Sequence, residues 1–179
     1  MGQVKVIGQE FGKDWAYYHG DCVIVMEGMP ENSVDLSVHS PPFSSLYIYS
    51  DSDADVGNSA SKEEFFEHYA YVIRELFRVT RAGRCAAVHV KDLPLFQNRD
   101  GVMGIDPFSD DVTAAFRREG WVLQSRITVE KDPVIEMEKT NSHGLLMKNW
   151  KERAELLRVG LPDYVLIFLY VRYYHQQKP

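Results

Sequence analysis

Four consecutive residues, Ser40-Pro41-Pro42-Phe43, hold the most specific chemistry in this sequence, and they directly follow the apolar stretch Val34-Asp35-Leu36-Ser37-Val38. Proline fixes φ and lacks a backbone N–H, so two in succession hold carbonyl oxygens outward as acceptors with no competing donors from the prolines. Such carbonyls can grip an exocyclic amino group, which suits the turn to methyl transfer onto a base amino nitrogen. A Pro-Pro pair also commonly does no more than end a strand. Other polar residues have two readings each. Lys91-Asp92, just after an apolar run, is either a surface ion pair or part of the rim of an active face. Asp21 can satisfy a turn. His39 and His89 are expected to be packed polar residues rather than acid–base groups. Cys22 and Cys85 form no Cys-x-x-Cys or Cys/His spacing and no His-Glu-x-x-His occurs, so the thiols are expected to be reduced and no metal site is expected.

These residues must be positioned by the elements around them. A short strand is expected through Tyr17-Tyr18, then a turn at Gly20-Asp21 and a helical turn or two. Pro30-Glu31-Asn32-Ser33 breaks the chain before Val34–Val38, which is short, β-branched and apolar enough for a buried strand. Residues 45–60, polar and acidic, are expected to form a mobile loop. Ser61-Lys62-Glu63-Glu64 is a capping box that opens a helix to about Thr80, with Phe65, Tyr69, Val72, Leu76 and Val79 as its buried stripe and Gly83 ending it. Cys85–Val90 is a buried strand. Ser109 or Asp110 caps a helix through Glu119, Trp121–Val129 is a strand, Asn141 or Ser142 starts a helix through Leu157, and Tyr164–Val171 is a final strand. This alternation predicts an α/β fold with a mostly parallel sheet and helices on both faces. Ligands of such sheets sit beyond the strands' carboxyl ends, where Ser40–Phe43 would lie.

At 179 residues with 45% hydrophobic content, the chain is expected to form a single domain over 1–179 with a short tail at 174–179. No run approaches the length of a membrane span and the start lacks a signal pattern, so a cytoplasmic protein is expected. The net charge of −6 is the wrong sign for coating nucleic acid. It is also uneven: residues 1–71 contain 3 Lys/Arg against 12 Asp/Glu, whereas 72–179 contain 17 against 14. Arg74, Arg78, Arg81, Arg84 and Lys91 form the densest basic run. It is open to two readings, a solvated helix face or a phosphate contact.

Tyr18-His19-Gly20-Asp21, Met29-Pro30-Glu31-Asn32-Ser33-Val34-Asp35-Leu36 and Ser40-Pro41-Pro42-Phe43 together resemble the opening of amino-group (adenine-N6 or cytosine-N4) DNA methyltransferases. Lys131-Asp132-Pro133-Val134-Ile135-Glu136-Met137 and Gly160-Leu161-Pro162-Asp163-Tyr164 look like a phage and prophage branch in which the catalytic motif precedes the glycine-rich one. The resemblance implies a partial Rossmann-like sheet, S-adenosylmethionine as cofactor, DNA as partner and a place in restriction-modification. It implies that Ser40 and the Pro41 carbonyl region hold the two amino hydrogens while Pro42 keeps the turn rigid. Phe43 would stack on a base rotated out of the duplex. It places Asp21 and Ser40 beside the cofactor and Lys91 and Lys131 near DNA. Glu130 stands where the family often has an aromatic residue. Whether the target is cytosine or adenine stays open.

The Phe-x-Gly-x-Gly loop that would cradle the methionine end of the cofactor is absent from the sequence, and Gly101-Val102-Met103-Gly104 has the wrong spacing. The expectation is therefore the catalytic-motif half of a methyltransferase, completed by a second chain or by further sequence, with homo-oligomers possible in principle. The alternative is a catalytically incomplete nucleic-acid-binding or assembly module derived from such an enzyme.

Overall fold

The computed structural model describes residues 6–43, 56–102, 104–132, 135 and 161–172. Strands β1 (Gly8–Phe11) and β2 (Ala16–His19) form an antiparallel hairpin, with the Phe11 and Tyr18 rings edge to face at 5.8 Å. Asp21 ends the hairpin and starts helix α1 (Cys22–Glu27), because its Oδ1 accepts the Val23 N–H at 2.7 Å and the Ile24 N–H at 3.3 Å. Strand β3 (Val34–His39) follows and delivers Ser40 to its carboxyl end.

Helix α2 (Lys62–Val79) starts where the capping box predicts: Ser61 Oγ accepts the Glu64 N–H at 3.1 Å, and Glu64 Oε2 reaches back to the Ala60 N–H at 2.7 Å. Its buried stripe is Phe65, Tyr69, Ile73, Leu76 and Val79; Val72, expected inside, is partly buried at the edge of the core. The expected mobile loop is not loop throughout, since Val56–Asn58 forms a 3-10 turn and Ser59 is buried; residues 45–55 lie outside the described residues. The expected helix over 141–157 and the tail at 174–179 also lie outside them.

Strand β4 (Thr80–Lys91) continues directly from α2. Gly83, expected to end the helix, lies inside β4 at φ 78°, in the irregular stretch between the pairs Val34/Thr80 and Leu36/Cys85, where only a left-handed residue keeps the strand in line. A small unit absent from the sequence-based expectation comes next: β5 (Leu93–Leu95), the single turn α3 (Gln97–Asp100) and β6 (Gly104–Asp106), the two strands antiparallel. Helix α4 (Phe108–Arg118) has Pro107 at its N-cap, not Ser109 or Asp110. A carboxylate from elsewhere does the capping, as Asp92 Oδ1 accepts the Ser109 N–H at 3.0 Å. Strands β7 (Val122–Val129) and β8 (Asp163–Leu169) complete the main sheet.

The order in that sheet is β3-β4-β8-β7. Strands β3 and β4 are parallel, and β8 is antiparallel to both β4 and β7, so β3, β4 and β7 share one direction and β8 opposes them. The fold is α/β as expected, but the sheet is mixed: one of its three pairings is parallel. The described helices also cover one face rather than two. Right-handed crossovers explain this, because β3-α2-β4 and β4-α4-β7 step in the same direction and each return swings over the same side. On that side Val88, Val90, Leu166 and Phe168 meet Phe65, Ile73, Phe108, Val112 and Phe116, all fully buried, with Phe116 stacked on Phe168 at 4.1 Å. Each large apolar side chain removed from water there contributes about 1.5–3 kcal/mol.

The basic run is committed to holding these layers together. Arg78 donates to the carbonyls of Met26 (2.6 Å) and Met29 (3.0 Å) and to Glu75. Arg81 binds both oxygens of Asp35 and the Asn32 carbonyl, Arg84 pairs with Asp35 and Arg74 with Glu119. Arg78, Arg81 and Arg84 fasten α2 and β4 to β3 and the segment that leads into it, and Arg74 ties α2 to the end of α4, which removes the phosphate-contact reading for Arg78 and leaves the exposed ones already paired.

Candidate active site

Ser40, exposed at the end of β3, is followed by buried Pro41 and half-buried Pro42 and Phe43. The turn is thus anchored by its prolines and presents its serine. Ser40 Oγ donates to the His89 carbonyl at 3.0 Å and lies 3.4 Å from His89 Nδ1. His89 belongs to β4, where Ala86, Val88 and Val90 face the helices, so by strand alternation it faces the other side. Its Nε2 is 2.9 Å from Oδ2 of Asp163, the first residue of β8, and Lys131 Nζ reaches the same oxygen at 2.7 Å.

Asp163 is 7% exposed. Burial alone would raise its carboxyl, but the hydrogen bonds from Lys131 and His89 outweigh that and hold it below the usual carboxylate value. An ionised carboxylate only accepts, so the His89 Nε2 carries a hydrogen. In the neutral ring Nδ1 is then a bare acceptor facing Ser40. Asp163 Oδ1 has no hydrogen-bond partner among the described residues. The sequence reading of His89 as a merely packed residue is therefore corrected: it bridges the serine to a buried carboxylate 74 residues away in sequence.

Phe43 meets the His89 ring edge-on at 6.1 Å and Phe108 at 6.4 Å, so one side of it rests on the core. His39, in contrast, is a packed residue as expected. Its Nε2 is 2.8 Å from the Tyr69 hydroxyl, and burial lowers its imidazole to about 4. Burial, and to a lesser degree Cys22 nearby, pushes the Tyr69 phenol well up. Tyr69 thus ties α2 to the end of β3 that bears Ser40. Asp21 meets the structural reading as the α1 cap. Lys131 is engaged by Asp163, and Lys91 pairs in register with Asp163 across β4 and β8. Asp92 serves α4.

Among the described residues no group of three or more His, Cys, Asp or Glu is arranged to hold a metal ion, and no helix is long and apolar enough to cross a membrane. A shallow cavity of about 860 Å³ opens on the outer side of α2 and α4, lined by Lys62, Phe66, Tyr71 and Arg118 among others, and contains no member of the Ser40 cluster.

Solved structures share this fold. A protein of Thermus thermophilus assigned as a DNA modification methylase superposes with a TM-score of 0.58 at 22% identity, over 89% of this chain and 53% of its own; its complex with S-adenosyl-L-methionine superposes equally, at 23% identity and 56% of its length. PvuII DNA methyltransferase, cytosine-N4-specific, superposes at 0.56 with 17% identity, over 84% of this chain and 47% of its own. The fold is the one these proteins have over about half of their length. Among curated proteins, the type II methyltransferase M.SfiI of Streptomyces fimbriatus is 24% identical over 90 residues, which is 50% of this chain and 21% of that protein. No protein-family model matches. The chain thus spans about half the length of the structural relatives and about a fifth of the curated one.

Sequence reasoning missed His89 and Asp163 as a pair. A signal existed: a histidine amid the apolar run Cys85–Val90, and an aspartate opening the apolar run Tyr164–Leu169. What sets them side by side is the antiparallel register of β4 and β8, which neither run encodes alone.

Proposed function

We propose that this chain is the catalytic-motif half of an S-adenosylmethionine-dependent DNA methyltransferase acting on the exocyclic amino group of a flipped-out cytosine or adenine. The observation that carries the reading is the placement of Ser40-Pro41-Pro42-Phe43 at the carboxyl end of β3, in a fold shared with DNA modification methylases. The amine is a poor nucleophile because its lone pair is delocalised into the ring. Acceptors that hold its hydrogens, Ser40 Oγ and the carbonyl at Pro41, favour the pyramidal nitrogen that can react, while Phe43 supports the base. Lys91 and Lys131 stand at the same end of the sheet, the side from which DNA would approach. Positioning supplies the rate, with no covalent enzyme intermediate.

The residues present fit the side of the site that faces the transferred methyl group. They fit the remainder poorly, since Asp21 is occupied as a helix cap and the sequence contains no Phe-x-Gly-x-Gly cradle. A second chain or further sequence supplies that end in this reading, in a restriction-modification or phage-type enzyme working in the cytoplasm. The missing cradle also favours a second reading, a silent DNA-binding or assembly module. Calorimetry with S-adenosylmethionine, followed by transfer of labelled methyl to DNA and to RNA, separates them. Binding and DNA methylation by the chain mixed with a glycine-rich half are expected. No binding by the chain, alone or mixed with that half, would leave the silent module.

A further inference from the structure

We propose that Ser40, His89 and Asp163 form a proton relay that removes the hydrogen released when the amino nitrogen is methylated, with Lys131 fixing its far end. The relay rests on the methyltransferase reading and goes beyond it by assigning a role to two residues outside the Pro-Pro turn. When the amine attacks the methyl of a sulfonium donor, the N–C bond forms, the S–C bond breaks and its electron pair stays on sulfur. The nitrogen is left positively charged with one hydrogen too many.

That hydrogen lies against Ser40 Oγ in the reading above. A serine hydroxyl is a very weak base, so it can take the hydrogen only by giving up its own in the same step. Among the described residues two acceptors are in reach and both belong to His89: the carbonyl at 3.0 Å, which holds the hydroxyl hydrogen at rest, and Nδ1 at 3.4 Å. Rotation about the Cβ–Oγ bond swings the hydrogen from one to the other. The amine hydrogen then passes to Oγ as the Oγ hydrogen passes to Nδ1, and the imidazolium so formed is held by the buried Asp163 carboxylate at Nε2. Of the charged groups around His89, Asp163 from β8 faces the ring directly and stabilises the imidazolium, whereas Lys131 after β7, which shares that carboxylate, and Lys91, two residues on along β4, are positive and favour prompt loss of the proton. The His89 side chain is 41% exposed, so the proton leaves to water. The residue types match a hydrolytic triad, but the ring is reversed, with Nδ1 toward the serine.

His89 and Asp163 are thus positioning residues that act through Ser40, and the ring's protonation pattern tests them without any turnover. In long-range ¹H–¹⁵N spectra of the labelled 179-residue chain, neutral His89 is expected to carry its hydrogen on Nε2. Asp163→Asn is expected to raise the Nδ1–H form, because an amide can donate to Nε2. An Nδ1–H ring in the wild type, or no change in the variant, overturns the relay. In the reconstituted enzyme, His89→Gln is expected to lower kcat about a hundredfold with the KM for DNA nearly unchanged; a change confined to KM or to Tm overturns it. Transfer by the wild type together with an Nδ1–H His89 sinks the relay alone. An Nε2–H ring with no transfer sinks the methyltransferase reading and the relay with it.

Discussion

The two faces of the main sheet differ in kind. One is closed by α2 and α4 over Val88, Leu166 and Phe168, all at 0% exposure. The other carries Leu36, Val38, Ile127 and Val129, with Val38 73% exposed and Leu36 56%, and no described helix covers it. Both carry apolar residues, yet among the described residues only the first is packed against helices. A strand buried on both sides reads as a nearly continuous apolar run, and Cys85–Val90 and Tyr164–Leu169 are composed for that situation, whereas Val34-Asp35-Leu36-Ser37-Val38 alternates and sets Leu36 and Val38 on the open face. The closed face holds the buried core, whereas no described helix lies over the open face and the Ser40 cluster beside it.

Phe116→Ala tests the closed face most severely. It should destabilise the chain by about 3–5 kcal/mol, because it removes the ring stacked on Phe168 and leaves a cavity. Val38→Ser on the open face should change the unfolding free energy from denaturant titration by less than about 0.5 kcal/mol, as surface substitutions do. Comparable losses from the two would show that the open face is covered in solution.

Adjacent residues provide a second contrast, since His39 points into the closed face and Ser40 stands at the open one. With its imidazole lowered to about 4 in the folded chain, His39 is protonated first in the unfolded chain as pH falls. Its contribution is therefore complete above about pH 6.5 and is lost toward pH 4, by at most about 3 kcal/mol. His39→Gln, which can keep a bond to Tyr69, should flatten the acid limb in urea titrations at about pH 7, 5.5 and 4.5. Parallel acid limbs would remove His39 as the cause.

Phe43 lies between the two regions. Phe43→Leu keeps an apolar contact with Phe108 but loses the aromatic face, so DNA affinity of the reconstituted enzyme should fall by about 1–3 kcal/mol while Tm hardly moves. A lowered Tm with unchanged affinity would assign Phe43 wholly to the core. A modest effect is expected at Asp21, where Asp21→Ala should cost about 1 kcal/mol by uncapping α1. Asp21→Asn preserves a cap, so weakened S-adenosylmethionine binding in that variant alone would reveal a cofactor contact beyond the structural role.

Local signals carried much of this fold. Ser61 and Glu64 placed the start of α2 because capping is settled within a single helical turn. The apolar run before Ser40 placed β3 because a run of that length has few alternatives. The rest depended on partners distant in sequence. Nothing in Tyr164–Leu169 says that it runs antiparallel between β4 and β7, and the β5-α3-β6 unit is made of segments too short to show a period. Likewise the Pro-Pro turn was legible as a motif, but its coupling to Asp163 through His89 exists only once β4 and β8 are in register. Arg78 and Arg81 taught the reverse lesson: helical spacing of positive charge looked available to phosphate, and backbone carbonyls and Asp35 had already taken it.

Strand β3 lies at the margin of the sheet, hydrogen-bonded to β4 on one side and to no strand on the other among the described residues. Any strand added there is placed by a ruler with fixed gradations, since each residue advances about 3.3 Å. That step is about the separation at which two atoms are poised to react. An incoming strand whose own tip delivers a methyl donor opposite Ser40 must therefore dock to the right notch, for a slip of a single residue turns its side chains over and moves the donor a full reaction distance away.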